Sequence, residues 1–171
     1  FVFVERKAVS PILPLDLFKN SIFTISNIIG FVIGVSMFGG VMYVPYFIQG
    51  VLDYSATHSS FLTMSMTLGL VFASALGGQI ISKTGKYKMQ AIIGLFISAI
   101  GLYLLSTMTV ETSQYLLVFY LTLVGFGIGI GMTVFTLTVQ NAVDQKLLGV
   151  ATASSQLFRS VGGTVGVAIM G

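Results

Sequence analysis

The feature that most constrains this chain is a succession of apolar runs, each about as long as a bilayer is thick. Four are complete: Ile22 to Ile48, Phe61 to Ser82, Met89 to Met108, and Tyr115 to Val139. A fifth starts near Gln156 and is still apolar at Gly171. About 20 helical residues cross the hydrocarbon core, and only helices or closed barrels can satisfy their backbone there. Composition removes the soluble alternative. Of 171 residues 55% are apolar and 8% are charged, whereas a soluble domain keeps roughly a quarter of its residues charged. The expected fold class is all-α and integral to the membrane, with the lipid bilayer as its first partner.

Charge placement gives a sidedness. Arg6, Lys7 and Lys19 precede the first run, Lys83, Lys86 and Lys88 separate the second and third, and Lys146 and Arg159 follow the fourth. Each group is two crossings from the next, so all eight cations fall on one face. The opposite loops, QGVLDYSATHSS and TVETSQ, hold no Lys or Arg. Short cytoplasmic loops collect Lys and Arg. The loops near 5–20, 83–88 and 141–155 are therefore expected to be cytoplasmic, with Arg159 at the entrance to the fifth span. The same placement explains the sequence pI of 9.3 without nucleic acid as a partner.

The division expected from these runs has two parts. Residues 1–21 read as the end of a preceding span, FVFV, plus a cytoplasmic linker. Residues 22–171 hold spans at about 22–48, 61–82, 89–108, 115–139 and 156–171. No cleavable signal fits the start, since such a signal puts its charge before its apolar core. Both ends read as interior to a longer protein.

The hairpin GGQIISKTGKYK carries the most specific pattern. Gly85 suits a left-handed residue ending the second span, since glycine adopts that conformation without a Cβ penalty. Lys83 complements the dipole at that helix end. Gly78, Ser82, Lys83, Gly85, Lys86 and Lys88 together resemble the cytoplasmic loop signature of the major facilitator superfamily, G-x-x-x-D-[RK]-x-G-[RK]-x-[RK]. Ser82 stands at the acidic place, where the family's acid helps to lock the two halves together. Further stretches are similar to the fourteen-span drug:proton antiporter branch: PILPLDLF (11–18), FTISN with Asn27, MFGG (37–40), VPYFIQGVLDYS (44–55), VQNAV (139–143) and LGVATASSQLFRSVGG (148–163). The resemblance implies a major facilitator helical bundle and the first five helices of its C-terminal six-helix half, the fifth truncated. It also implies the bacterial cytoplasmic membrane, a missing N-terminal half as partner, and small lipophilic substrates exchanged for protons.

In that family the first and fourth helices of each half line the cavity. Substrate-path candidates are therefore Asn27, Met37, Tyr43, Pro45, Tyr46 and Gln49 on the first span, and Thr133, Gln140 and Asn141 on the fourth. Polar groups in hydrocarbon need a partner or water, and methionines with aromatics make an adaptable lining. The simpler reading stays open: hydroxyls bonded to their own helix, aromatics filling helix contacts. Pro45 removes a backbone bond in mid-helix and is expected to bend the first span.

Small residues recur one turn apart. Gly125 and Gly129, Gly127 and Gly131, Gly30 and Gly34, and Gly162 and Gly166 have the spacing that lets membrane helices touch backbone to backbone. The family architecture puts the second and fifth helices against the other half, so Ala73, Ser74, Ala75, Gly77 and Gly78 and the fifth-span glycines are expected either to slide during transport or to pack statically. GFGIGIG is no nucleotide loop, because no strand precedes it and no lysine follows.

Catalytic chemistry is absent from the spans. Glu5, Asp16, Asp53, Glu111 and Asp144 fall in loops or at span ends, His58 lies in an outer loop, and there is no cysteine. No metal, no cofactor and no enzyme activity is expected, and the proton-coupling acids are expected in the missing half. A channel or a subunit of another membrane assembly is the competing class.

Overall fold

The computed structural model describes residues 15–170 of the chain. Glu5, Arg6, Lys7 and most of the 1–21 segment lie outside them. After a 3-10 turn at Leu15–Lys19 come five α-helices: α1 Ser21–Gly50, α2 Ala56–Thr84, α3 Tyr87–Ser106, α4 Gln114–Asn141 and α5 Leu148–Met170, the last preceded by a 3-10 turn at Gln145–Leu147. The described part is 88% helical and without strands. Helices α1 to α4 are each long and apolar enough to cross a membrane.

The caps show why the helices begin and end where they do. Asn20 accepts from the backbone N–H groups of Ile22 (2.9 Å) and Phe23 (3.4 Å) at the start of α1. Its amide also donates to the Ala142 carbonyl at 2.8 Å, which ties that start to the end of α4. Ser55 caps α2 by accepting from His58 N–H at 3.2 Å. The polar first turn that follows, Ala56 to Ser60, is helical, so α2 starts five residues before its apolar run and His58 stands on the helix rather than in a loop. At the other end Gly85 takes φ 64°, ψ 0° and donates its N–H to the Ile81 carbonyl. Lys83 and Lys88 belong to the flanking helical turns, which leaves Gly85 and Lys86 as the whole connection.

The largest departure from expectation is at α5. Residues 148–155, expected as a cytoplasmic loop, form its first two turns. VATASSQ looks loop-like because its residues are small and polar, yet Ala151 and Ser154 are buried. Ser154 and Ser155 satisfy their hydroxyls on the Val150 and Ala151 carbonyls, at 2.8 and 3.0 Å. Arg159 therefore sits in mid-helix, about 17 Å of helical rise from the first residue.

Helix α4 is the hub. It packs along α2 on one side and α3 on another, while α1 pairs with α5. The main core joins Ile33, Val44 and Ile48 of α1, Leu62 and Met66 of α2, and Leu117, Leu121, Val124 and Ile128 of α4. The remaining faces of α1, α2 and α3 are exposed and apolar, for example Val32, Phe72 and Phe96. A soluble surface would not tolerate that much apolar area in contiguous bands.

The glycines of α4 explain how three helices approach one. A Cβ on Gly125 would collide with the Met66 carbonyl of α2, and one on Gly129 with the Leu70 carbonyl. On Gly127 it would lie 2.6 Å from Ser98 Cα of α3. Gly131 differs, because its Cβ would make an ordinary 3.5 Å contact with Ile33 Cδ1 of α1. Between α1 and α5, Gly162 abuts Phe31, Gly166 abuts Val35, and Gly34 abuts the Arg159 carbonyl. Ala73 is buried, and Gly77 looks onto Ile130 and Thr133 of α4. These contacts lie inside the five-helix unit, as static packing requires, while Ala75 is exposed.

A candidate substrate path along α4

Two features meet on α4. The first is a groove of about 590 Å³ between α2 and α4, lined by Leu70, Ser74, Gly78, Ile81, Ser82, Met132, Thr133, Thr136 and Leu137. It brings together three residues that sequence reasoning had assigned separately, Thr133 of the path and Gly78 and Ser82 of the hairpin signature. The Thr133 hydroxyl donates to the Gly129 carbonyl at 3.1 Å and the Ser74 carbonyl at 3.3 Å. Ser82 donates to the Gln79 carbonyl at 2.8 Å and Thr136 to Met132 at 2.8 Å. Each hydroxyl keeps lone pairs free to accept, so the groove is an apolar trough with a few acceptors and no charge on its walls.

The second is a small cavity of about 20 Å³ between α1, α4 and α5, bordered by Ser26, Gly30, Thr136, Ser155 and Arg159. Gly30 leaves this space open, since nothing lies within 4 Å of where its Cβ would be. Arg159 donates to Gln156 Oε1 at 2.8 Å. Met132 and Thr136 border both spaces.

The other candidates disperse. Asn27 is 1% exposed and donates to its own helix, to the Phe23 carbonyl at 2.8 Å. Tyr43 donates to the Val167 carbonyl of α5 at 3.2 Å, and Gln140 reaches Thr152 Oγ1 at 3.5 Å, so both act as α5 contacts. Met37 packs on the main core. Gln49 and Asn141 are exposed, and Tyr46 is 71% exposed with its ring 6.5 Å from that of Tyr43. These three do not face an interior cavity within this unit. Helix α1 runs through Pro45 to Gly50. The own-helix reading of the hydroxyls holds for Ser36, Thr122, Thr133, Thr136 and Thr138.

Two polar side chains escaped sequence reasoning. Gln90 is 9% exposed, and neither atom of its amide has a partner among the described residues. It lines a third cavity, between α2, α3 and α4. The available signal was a lone amide beside Met89 at the start of an apolar run. Arg159 stands in mid-helix, and the unbroken stretch from Val150 to Val161, without glycine or proline, is the sequence signal for that. Among the described residues no three of His, Asp and Glu come together.

Comparison with known proteins agrees with this architecture. Residues 4–167 match the family model of the Major Facilitator Superfamily. The multidrug transporter protein MdtP of Bacillus subtilis is 41% identical over 171 residues, which is 100% of this chain and 31% of that protein. Multidrug resistance protein 3 of the same organism is 32% identical over 100% of the chain and 33% of its own length. A tetracycline resistance determinant of Streptomyces rimosus is 32% identical over 99% of the chain and 49% of its length. The chain thus spans less than half of each of these relatives. On the extent of the family match, this multi-pass helical chain belongs to the Major Facilitator Superfamily.

Proposed function

We propose that the chain is part of a secondary active transporter that exports lipophilic drugs or toxic compounds by alternating access. The observation that carries this reading is the groove between α2 and α4, apolar with hydroxyl acceptors at Ser74, Thr133 and Thr136, in a chain whose relatives include multidrug transporters. Volumes of 300–1,000 Å³ with a few placed polar groups are typical of small-molecule sites. An adaptable apolar wall holding few fixed hydrogen bonds accepts varied lipophilic shapes. It cannot reject them by unpaired polar groups, because it offers so few.

Alternating access in such folds rocks one bundle against another around a site between them, and this unit supplies one wall. The remaining wall belongs to the other half of the transporter. Proton coupling is part of the proposal, with its acids in that half. Asp53, Glu111 and Asp144 lie in the α1–α2, α3–α4 and α4–α5 connections and away from the groove. The proposal puts the Lys-bearing hairpin at 83–88 on the cytoplasmic side, which the charge asymmetry supports, in a bacterial cytoplasmic membrane. In cells depleted of their own drug pumps, the complete transporter should lower accumulation of a lipophilic dye, and a protonophore should restore it. Unchanged accumulation would remove the export reading. The 171-residue chain alone should export nothing.

A further inference from the structure

Arg159 is a cation in mid-helix without a counter-charge. Among the described residues its side chain donates to Gln156 Oε1 at 2.8 Å, a neutral amide, and forms no ion pair. Asp53 and Glu111 lie in the α1–α2 and α3–α4 connections and Asp144 precedes α5 altogether. None of these three reaches a residue about 17 Å of rise along α5. Helical side chains lean toward the N-terminal end of their own helix, which brings the guanidinium back along α5 to the small cavity between α1, α4 and α5. On the α1 side of that cavity stands Ser26. It is 5% exposed, it borders the cavity, and its hydroxyl has no hydrogen-bond partner among the described residues. Unlike the Gln90 amide, that hydroxyl is not sealed in by its neighbours.

A space of about 20 Å³ takes one atom-sized occupant, since a single water needs about 10–15 Å³ measured this way. Two uncommitted kinds of donor border it, the guanidinium N–H groups of Arg159 and the Ser26 hydroxyl. Thr136 and Ser155 border it as well. Their protons rest on the Met132 and Ala151 carbonyls, at 2.8 and 3.0 Å, and a hydroxyl rotor can turn from its own helix to a better acceptor. Charge decides what such a set holds. A water would leave Arg159 unbalanced, and a cation at membrane depth is costly unless paired. A monatomic anion balances it and accepts from every donor present. We infer that this cavity binds one small halide ion, chloride in size, held by Arg159 and Ser26 and joining α1, α4 and α5. Gly30 keeps room for the ion, because nothing else lies within 4 Å of its Cβ position. The inference goes beyond the export reading and does not rest on it, since it concerns how the helices are held and needs no substrate.

The test uses the complete transporter, purified in sodium gluconate and titrated with sodium chloride or bromide at constant ionic strength. The thermal unfolding midpoint should rise with either halide and saturate. Sulfate should not substitute, because a polyatomic anion does not fit the space. Ser26→Ala removes one donor with little change of volume. It should raise the half-saturating chloride concentration at least about tenfold, the worth of one hydrogen bond to a charged group. Arg159→Gln should abolish the halide response. Crystals of the complete transporter grown in bromide should show an anomalous peak between Ser26 and Arg159. A wild-type midpoint indifferent to halide overturns the inference, and that measurement needs no variant. So does a wild-type response in Ser26→Ala, which would put the ion elsewhere. A water, or a carboxylate from the other half of the transporter, seated against Arg159 in place of bromide overturns it too.

Discussion

Gly127 and Gly131 sit one turn apart on α4 and make a matched pair for testing how closely the helices are packed. A Cβ on Gly127 would stand 2.6 Å from Ser98 Cα and 2.7 Å from Ser98 Cβ, and it would also meet the Ser98 amide nitrogen. Carbon atoms are comfortable at about 3.5–4.0 Å, so α3 and α4 would have to separate by about 1 Å. The obstacle is backbone, which cannot rotate away. Overpacking of this kind costs typically about 1–3 kcal/mol, offset by about 0.8–1 kcal/mol because alanine is a better helix residue than glycine. Gly127→Ala should therefore lose up to about 2 kcal/mol. At Gly131 the new methyl would make a normal 3.5 Å contact with the side chain of Ile33. Gly131→Ala keeps the propensity gain without the clash and should be neutral or stabilised by up to about 1 kcal/mol. Equilibrium unfolding of the complete transporter in mixed micelles, read by far-ultraviolet circular dichroism, measures the difference. The two variants should be separated by about 2 kcal/mol. Equal stability, or the reverse order, would show that α3 does not touch α4 at Ser98.

Other consequences follow from single residues. Gly85→Ala should destabilise the α2–α3 hairpin by about 1–2 kcal/mol, because φ 64° penalises a Cβ; the same unfolding assay reads it, and wild-type stability would deny the left-handed turn. Single cysteines at Lys86 and Ser55 should react with an impermeant thiol reagent from opposite sides, Lys86→Cys from the cytoplasm only, whereas reaction from the same side would remove the span count. Gly30→Ala should fold normally, since nothing lies within 4 Å of its Cβ position, while Gly30→Leu fills the cavity beside Arg159; unchanged dye export in Gly30→Leu would mean that this cavity takes no part in transport. Tyr46→Phe should leave export unchanged, its side chain being 71% exposed on α1.

The long apolar runs made helices α1 to α4 legible, because bilayer thickness dictates a minimum apolar length. Their polar ends were not. Ala56–Ser60 and Leu148–Ser155 are helical through capping and burial, neither of which raises hydropathy. The glycine spacing announced close packing, but not which helix each glycine meets. Gly127 faces α3 and Gly131 faces α1 although one turn separates them, and that depends on where three partners sit around α4. Site residues were the least legible. Asn27, Tyr43 and Gln140 looked like cavity groups by their polarity, yet each spends its donor on a helix or a helix contact. Gln90, which has no such contact, was a single letter at the edge of an apolar run. A polar residue in hydrocarbon signals that a partner is needed, and only the fold shows whether the partner is already there.

The claim most exposed to test is that the α2–α4 groove carries substrate. The measurement is proton-gradient-driven dye uptake into proteoliposomes by the complete transporter with cysteine in place of Thr133, before and after alkylation with a bulky maleimide. The groove reading predicts that alkylation stops uptake, that excess dye slows alkylation, and that the same modification at Tyr115, an exposed position on α4, does neither. Undiminished uptake by fully alkylated Thr133→Cys protein would contradict it.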